Sequence, residues 1–224
     1  DEEELQHQYG ALALLALLIG GGSALAMILL RSPIAHLIGL PGGGGLVAAR
    51  HLVNRGASVS VVLARPALRM TAAGRHQLAT LLVMGTSCRV TTYDLADEDL
   101  AASVAGADVV VDAILDWDPG SALPGGVERL VGFVASSGRP VVSLDVPSGM
   151  NPDTGASPGP AVAATATLAL ALPKVGLLTR AGAAQSGRLY LGDLALPAPL
   201  YASLGMAVGP IFAADRIVIL DRTP

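Results

Sequence analysis

PIAHLIGLPGGGGLVAARHL, Pro33 to Leu52, decides the fold. Ile34 to Ile38 is a short apolar run, Gly39 and Gly42 to Gly45 make a glycine-rich loop, and LVAARHLVNRG continues as helix-forming sequence. Strand, glycine loop and helix in that order open an α/β nucleotide-binding unit. Glycines let the chain turn tightly and leave no Cβ between backbone and phosphate, and a helix start offers unpaired N–H groups to an anion. The spacing matches no G-x-G-x-x-G fingerprint, and no Lys-Ser/Thr pair follows to make a P-loop. Read alone, the loop fits a tight turn with nothing bound as well as it fits a phosphate cradle.

The surrounding composition favours a packed α/β protein. In 224 residues, hydrophobic side chains make up 52% and charged ones 14%, which is too apolar for disorder. The length suits one large domain or two small ones, and it is enough to bury a core. A net charge of −4 supplies no basic footprint, so nucleic acid is not expected as a partner. The single cysteine, Cys88, excludes an intrachain disulfide and a cysteine-rich metal site, and reads as a small buried residue at a strand start. His7, His36, His51 and His76 form no ligand-spaced pair; His51, early in the helix after the glycine loop, reads as a solvated helix position.

Residues 1–8, DEEELQHQ, read as a helix start or a frayed end. Ala11 to Leu30 carries no charge and has the length of a membrane span, but Gly20-Gly21-Gly22-Ser23 breaks it and no aromatic belt flanks it. Two buried helical pieces around a glycine turn are expected there rather than a membrane helix. The acidic leader argues against a secretory signal, so a cytoplasmic location is expected.

From Pro33 the pattern alternates. Strands are expected at Ile34–Ile38, Ser58–Ala64, Cys88–Thr92, Asp108–Ile114, Pro140–Asp145, Ala166–Leu172 and Arg188–Leu191. Helices are expected at Gly45–Arg55, Thr71–Met84, Asp97–Val104 and Gly126–Ser136. Runs such as VVVDAIL and VVSLDV are continuously apolar, as a parallel sheet covered on both faces requires. The expected fold is a three-layer α/β/α Rossmann-like sandwich with a mainly parallel sheet, built as one domain over 1–224 with a core of about 9–200.

Ligands of such sheets sit at the carboxyl ends of the strands. Three polar loops should meet the glycine loop there: Asp112 and Asp116-Trp117-Asp118-Pro119-Gly120, then Asp145 to Asn151, then Leu172 to Gly176 with Lys174. A carboxylate, a hydroxyl and a lysine together can hold a cation or a phosphate, or move a proton. Asp145 is the most pointed of them, because a carboxylate ending an apolar strand must be solvated or hydrogen-bonded. The bland explanation has it accepting N–H bonds from the Pro-Ser-Gly turn that follows.

With these residues in view, the chain resembles the NAD(P)H-hydrate epimerase family, the YjeF N-terminal domain. The matching pieces are Tyr9-Gly10, GLVAARHL (Gly45–Leu52), VVVDAI (Val109–Ile114), SLDVPSGMNPDTG (Ser143–Gly155), ALPKVGL (Ala171–Leu177) and GRLYLGDLALP (Gly187–Pro197), in the family's order. The resemblance implies epimerisation of the R and S forms of hydrated NADH and NADPH, a metabolite-repair reaction that feeds a dehydratase. It also implies a small nucleotide ligand and a homodimer. Asp145 then falls on the aspartate that contacts the hydrated nicotinamide, and Lys174 on a lysine beside it. Gly42, Gly43, Gly44 and Gly45 fall in the substrate-binding loop. Asp112 and Ser148 fall on two of the three suppliers of a potassium site.

Three segments depart from the family pattern. The family's loop reads G-x-G-N-N-G-G-D-G, whereas GLPGGGG here is shorter and lacks both Asn and the Asp. Leu115-Asp116-Trp117-Asp118 stands in place of an F-G-T-G type turn, and Leu18-Ile19-Gly20-Gly21 in place of E-N-A-G. The third potassium supplier, an Asn of the glycine loop, is among the losses, so the expected cation site is incomplete, weak or empty. Two readings follow: a working epimerase, or an inactive nucleotide-binding or dimeric scaffold of the same fold, in which the added carboxylates repel substrate phosphates.

Overall fold

The structure is a computed structural model that describes residues 34–39, 43–64, 66–85, 88–92, 94, 96–114 and 125–221. The expectations for residues 1–33, for Gly42 and for the loop 115–120 lie outside the described residues.

Among the described residues, eight strands form one sheet in the order β3-β2-β1-β4-β5-β6-β7-β8. They are β1 (Ile34–Gly39), β2 (Ser58–Leu63), β3 (Cys88–Thr92), β4 (Val109–Ala113), β5 (Val141–Leu144), β6 (Ala166–Leu170), β7 (Arg188–Gly192) and β8 (Ile217–Ile219). Every neighbouring pair is parallel except β7 with β8. The expected mainly parallel sheet is therefore observed. The short edge strand β8 is an addition, because three residues of IVI carry too little pattern to separate them from a loop.

The helices between β1 and β5 are α1 (Gly44–Asn54), α2 (Ala72–Val83), α3 (Asp97–Ala105) and α4 (Gly125–Ala135). Val59, Val61 and Leu63 of β2 join Leu46, Ala49 and Leu52 of α1 and Leu78 and Leu81 of α2 in one buried cluster. Val62, one residue out of phase, joins Leu100 of α3 and Leu130, Val131 and Val134 of α4 in the other. Successive strand residues point to opposite faces, so the continuous apolar strands feed two cores at once. α1 and α2 cover one face, α3 and α4 the other, which gives the expected three layers.

After β3 the chain returns to the far side of β1, so the strand order reverses between β1 and β4. Such a reversal parts the loops above the sheet and opens a crevice at the carboxyl ends. Gly39 is in register with Ala113, and Asp112 with Ser143, so the glycine loop and the loops after β4 and β5 rise from one edge.

β2, β4, β5 and β6 all end earlier than expected, at Leu63, Ala113, Leu144 and Leu170. β5 stops at Leu144 and β6 at Leu170, because Asp145 and Ala171 take positive φ, 71° and 62°, and turn the chain out of the sheet. Beyond β6 come two short helices the sequence did not announce, α5 (Val175–Leu178) and α6 (Arg180–Ser186). A further one, α7 (Ala198–Ser203), lies between β7 and β8. Among the described residues, no helix is long and apolar enough to cross a membrane.

Candidate active site at the carboxyl edge of the sheet

The glycine loop delivers Gly43, Gly44 and Gly45 to the start of α1. Gly43 is the residue before the helix and has φ 90°, a conformation that L side chains rarely adopt. A Cβ on it would also lie 3.1 Å from Cα of Gly74, so the start of α2 leans against the loop. A Cβ on Gly44 would come within 3.2 Å of Leu144, which places the start of α1 beside the end of β5. No acidic side chain stands in the first turn of α1, so its free N–H groups face no competing anion from their own helix.

Asp112, in β4, is completely buried and fully bonded. Its Oδ1 accepts from the Ser148 hydroxyl at 2.6 Å and the Ile114 N–H at 3.3 Å. Its Oδ2 accepts from the Ser143 hydroxyl at 2.7 Å and the Ser148 N–H at 2.9 Å. Burial pushes its carboxyl above the ordinary aspartate range, and these hydrogen bonds, the Ser148 hydroxyl first, pull it back only in part. Gly149 lets the Pro-Ser-Gly turn close over this carboxylate: its φ is 93°, and a Cβ there would collide with the Pro160 carbonyl oxygen. The Ser148 carbonyl accepts from Val162 N–H at 2.8 Å, which ties the turn down from above.

The structure thus brings Asp112 and Ser148 together, but against each other. A carboxylate has about four lone-pair directions, and protein donors fill all of Asp112's. Asp112 therefore offers no open lone pair to a potassium ion, whereas the Ser148 hydroxyl, a donor here, keeps its own; loops 40–42 and 115–124 lie outside the described residues. Among the described residues, no group of three His, Cys, Asp or Glu side chains is placed to hold a metal. Ser143 is the partner that sequence reasoning missed; its signal was a lone hydroxyl inside the apolar strand VVSL.

Asp145 is built the other way. It has no bond to the Pro-Ser-Gly turn, whose N–H goes to Asp112, so the bland explanation is corrected. Instead its Oδ1 accepts the Leu170 N–H at 2.9 Å and pairs with the Lys174 ammonium. Strand β6 runs past the end of β5, and the carboxylate replaces the missing strand as acceptor for Leu170. Lys174 also donates to the Leu170 carbonyl oxygen at 3.3 Å. Among the described residues Oδ2 takes no hydrogen bond, and both side chains are about one-third open to solvent.

Lys174 is the lone lysine of these 224 residues; the rest of the 14 lysines and arginines are arginine. Arginine keeps its proton in proteins, whereas a lysine can release one. The chain therefore places its one lysine against Asp145, the one acidic residue at positive φ among the described residues. His51 is half-buried on α1 and lies outside this group; burial, then Arg50 and Arg55, push its pKa down.

The model of the YjeF-related protein N-terminus matches residues 38–176. The chain is 37% identical over 163 residues to the bifunctional NAD(P)H-hydrate repair enzyme Nnr of Moorella thermoacetica, covering 72% of this chain and 31% of that protein. It is 35% identical to the NAD(P)H-hydrate epimerase of Dehalogenimonas lykanthroporepellens, covering 74% and 62%, and 32% identical to that of Limosilactobacillus fermentum, covering 74% and 78%. It spans less than half the length of the bifunctional relatives it matches. The crystal structure of the yeast protein ynu0 superimposes with a TM-score of 0.66 at 24% identity, over 96% of this chain and 90% of that one, and so shares the fold. A glycine loop at the switch point, the D-V-P-S-G turn closed over Asp112, and this set of relatives agree: the chain belongs to the family of the YjeF-related protein N-terminus.

Proposed function

We propose that this chain is an NAD(P)H-hydrate epimerase that interconverts the R and S forms of hydrated NADH and NADPH. The observation that carries the reading is the Asp145–Lys174 pair, about one-third open to solvent at the same sheet edge as the glycine loop. Relatives of similar sequence are named for this reaction.

The chemistry asks for little more. Hydration of a dihydronicotinamide puts a hydroxyl on the ring carbon bonded to the ring nitrogen. Inverting that carbon requires the C–O bond to break as the nitrogen lone pair forms a C=N iminium, and then to re-form on the other face. The Lys174 ammonium gives its proton to the departing hydroxyl, which leaves as water. Water adds to the opposite face and returns a proton to the Lys174 amine. The Asp145 carboxylate offers its open Oδ2 to the cationic ring. Atoms and electrons balance with no oxidant, reductant or metal. The N–H groups of Gly44 and Gly45 at the start of α1 bind the pyrophosphate.

The inactive-scaffold alternative finds no supporting observation in the fold or in the relatives. Incubation with epimer-resolved hydrated NADH and NADPH, followed by chromatography, tests the proposal. Interconversion no faster than in buffer would overturn it.

A further inference from the structure

Two neighbouring strands end with the same device. Past β5, the Val146 N–H reaches the Leu144 carbonyl oxygen at 3.0 Å across Asp145. Past β6, the Leu172 N–H reaches the Leu170 carbonyl oxygen at 2.8 Å across Ala171. An i→i+2 bond over a residue at positive φ is the rarer, strained form of γ-turn. In both turns the central residue still donates to the next strand, Asp145 N–H to Leu168 at 2.8 Å and Ala171 N–H to Gly192 at 2.9 Å. Aspartate tolerates this region through its short polar side chain; alanine has no such relief and is held there by what surrounds it.

The strain at Ala171 has an effect within the active site. Leu170, just before it, donates its N–H to Asp145 Oδ1 and accepts from Lys174 Nζ with its carbonyl. One residue of backbone therefore holds both partners of the charged pair. Lys174 follows Ala171 by only three residues. Had the chain continued extended, those residues would have carried Lys174 about 10 Å onward along the strand direction. The reversal at Ala171 brings Lys174 back over the end of β6.

We infer that Ala171 is a positioning residue: its left-handed turn sets the separation and orientation of Asp145 and Lys174. This rests on the reading of that pair as the reacting one. It makes a claim about geometry that survives or falls without any activity.

Because Lys174 is the lone lysine, its reactivity can be read cleanly. The full chain is treated with a limiting amount of acetic anhydride, and acetylation of Lys174 is compared by mass spectrometry with that of the N-terminal amine. Asp145→Asn sets the level for an ammonium without its carboxylate. Ala171→Val places a β-branched residue where it is most disfavoured, and Ala171→Asn places one that tolerates the left-handed region. The expected result is Lys174 acetylation several-fold above wild type in Ala171→Val, near the Asp145→Asn level, and at wild-type level in Ala171→Asn. Epimerisation in the Val protein should lose about ten- to a hundredfold in kcat with KM little changed, and Asn should restore it. Should the Val protein not fold, Ala171→Leu carries the same comparison. Equal acetylation in the Val or Leu protein and the Asn protein would overturn the inference, whatever the activity. Expected acetylation in a chain whose wild type shows no epimerisation would instead overturn the proposed function and leave the positioning role standing.

Discussion

Ser148 closes on both oxygens of Asp112, its hydroxyl on Oδ1 at 2.6 Å and its N–H on Oδ2 at 2.9 Å. The two residues that the family resemblance assigns to a cation thus satisfy each other. Asp112 is the keystone between β4 and β5, while Asp145 has one oxygen pinned by Leu170 and Lys174 and is the group assigned to the reaction in the proposed function.

The consequence for potassium is direct. If Asp112 has no lone pair to give, replacing potassium with an equal concentration of choline leaves kcat unchanged. Loss of activity that returns with potassium or rubidium would show that Ser148 swings off Asp112 to admit an ion.

Asp112 also shapes the pH dependence of stability. Its folded pKa is raised by burial, so the folded state holds this proton to higher pH than the unfolded chain does. Its contribution is greatest below the unfolded value and declines as pH climbs from the ordinary aspartate range towards the folded value. Urea midpoints measured across that range should fall more steeply for wild type than for Asp112→Asn. Asp112→Ala should also lose about 1–3 kcal/mol for each N–H of Ile114 and Ser148 left buried without an acceptor. A wild-type slope no steeper than that of Asp112→Asn would contradict this account.

Lys174→Arg separates charge from proton transfer. The guanidinium keeps a cation beside Asp145, so the melting temperature should hold, but it releases no proton. The expected loss in kcat is about a hundredfold or more, the scale of a missing general acid. Retained turnover would mean that Lys174 contributes only its charge.

The fold was legible because runs such as VVVDAIL and VVSLDV are continuously apolar and helix-forming runs separate the strands from β1 to β5, a pattern a parallel sheet shares with few alternatives. Asp145 and Lys174 were legible as polar strand ends. Their junction through Leu170 was not, since it depends on β6 outrunning β5, which no local pattern encodes. Ser143 needed the register with Asp112 to become a partner. The turns at Asp145 and Ala171 gave no sign, because neither is the glycine that usually marks positive φ.

Inversion of the hydrated carbon by Asp145 and Lys174 can be followed by adding the protein to pure R-form hydrated NADH and measuring the appearance of the S form by chromatography, with Asp145→Asn alongside. Asparagine tolerates the same φ and can still accept the Leu170 N–H, so the variant should keep the fold while losing the charge. Wild type should approach the equilibrium R:S ratio rapidly, while Asp145→Asn should run at the buffer rate. Equal rates for wild type and Asp145→Asn, both above buffer, would remove Asp145 from the reaction.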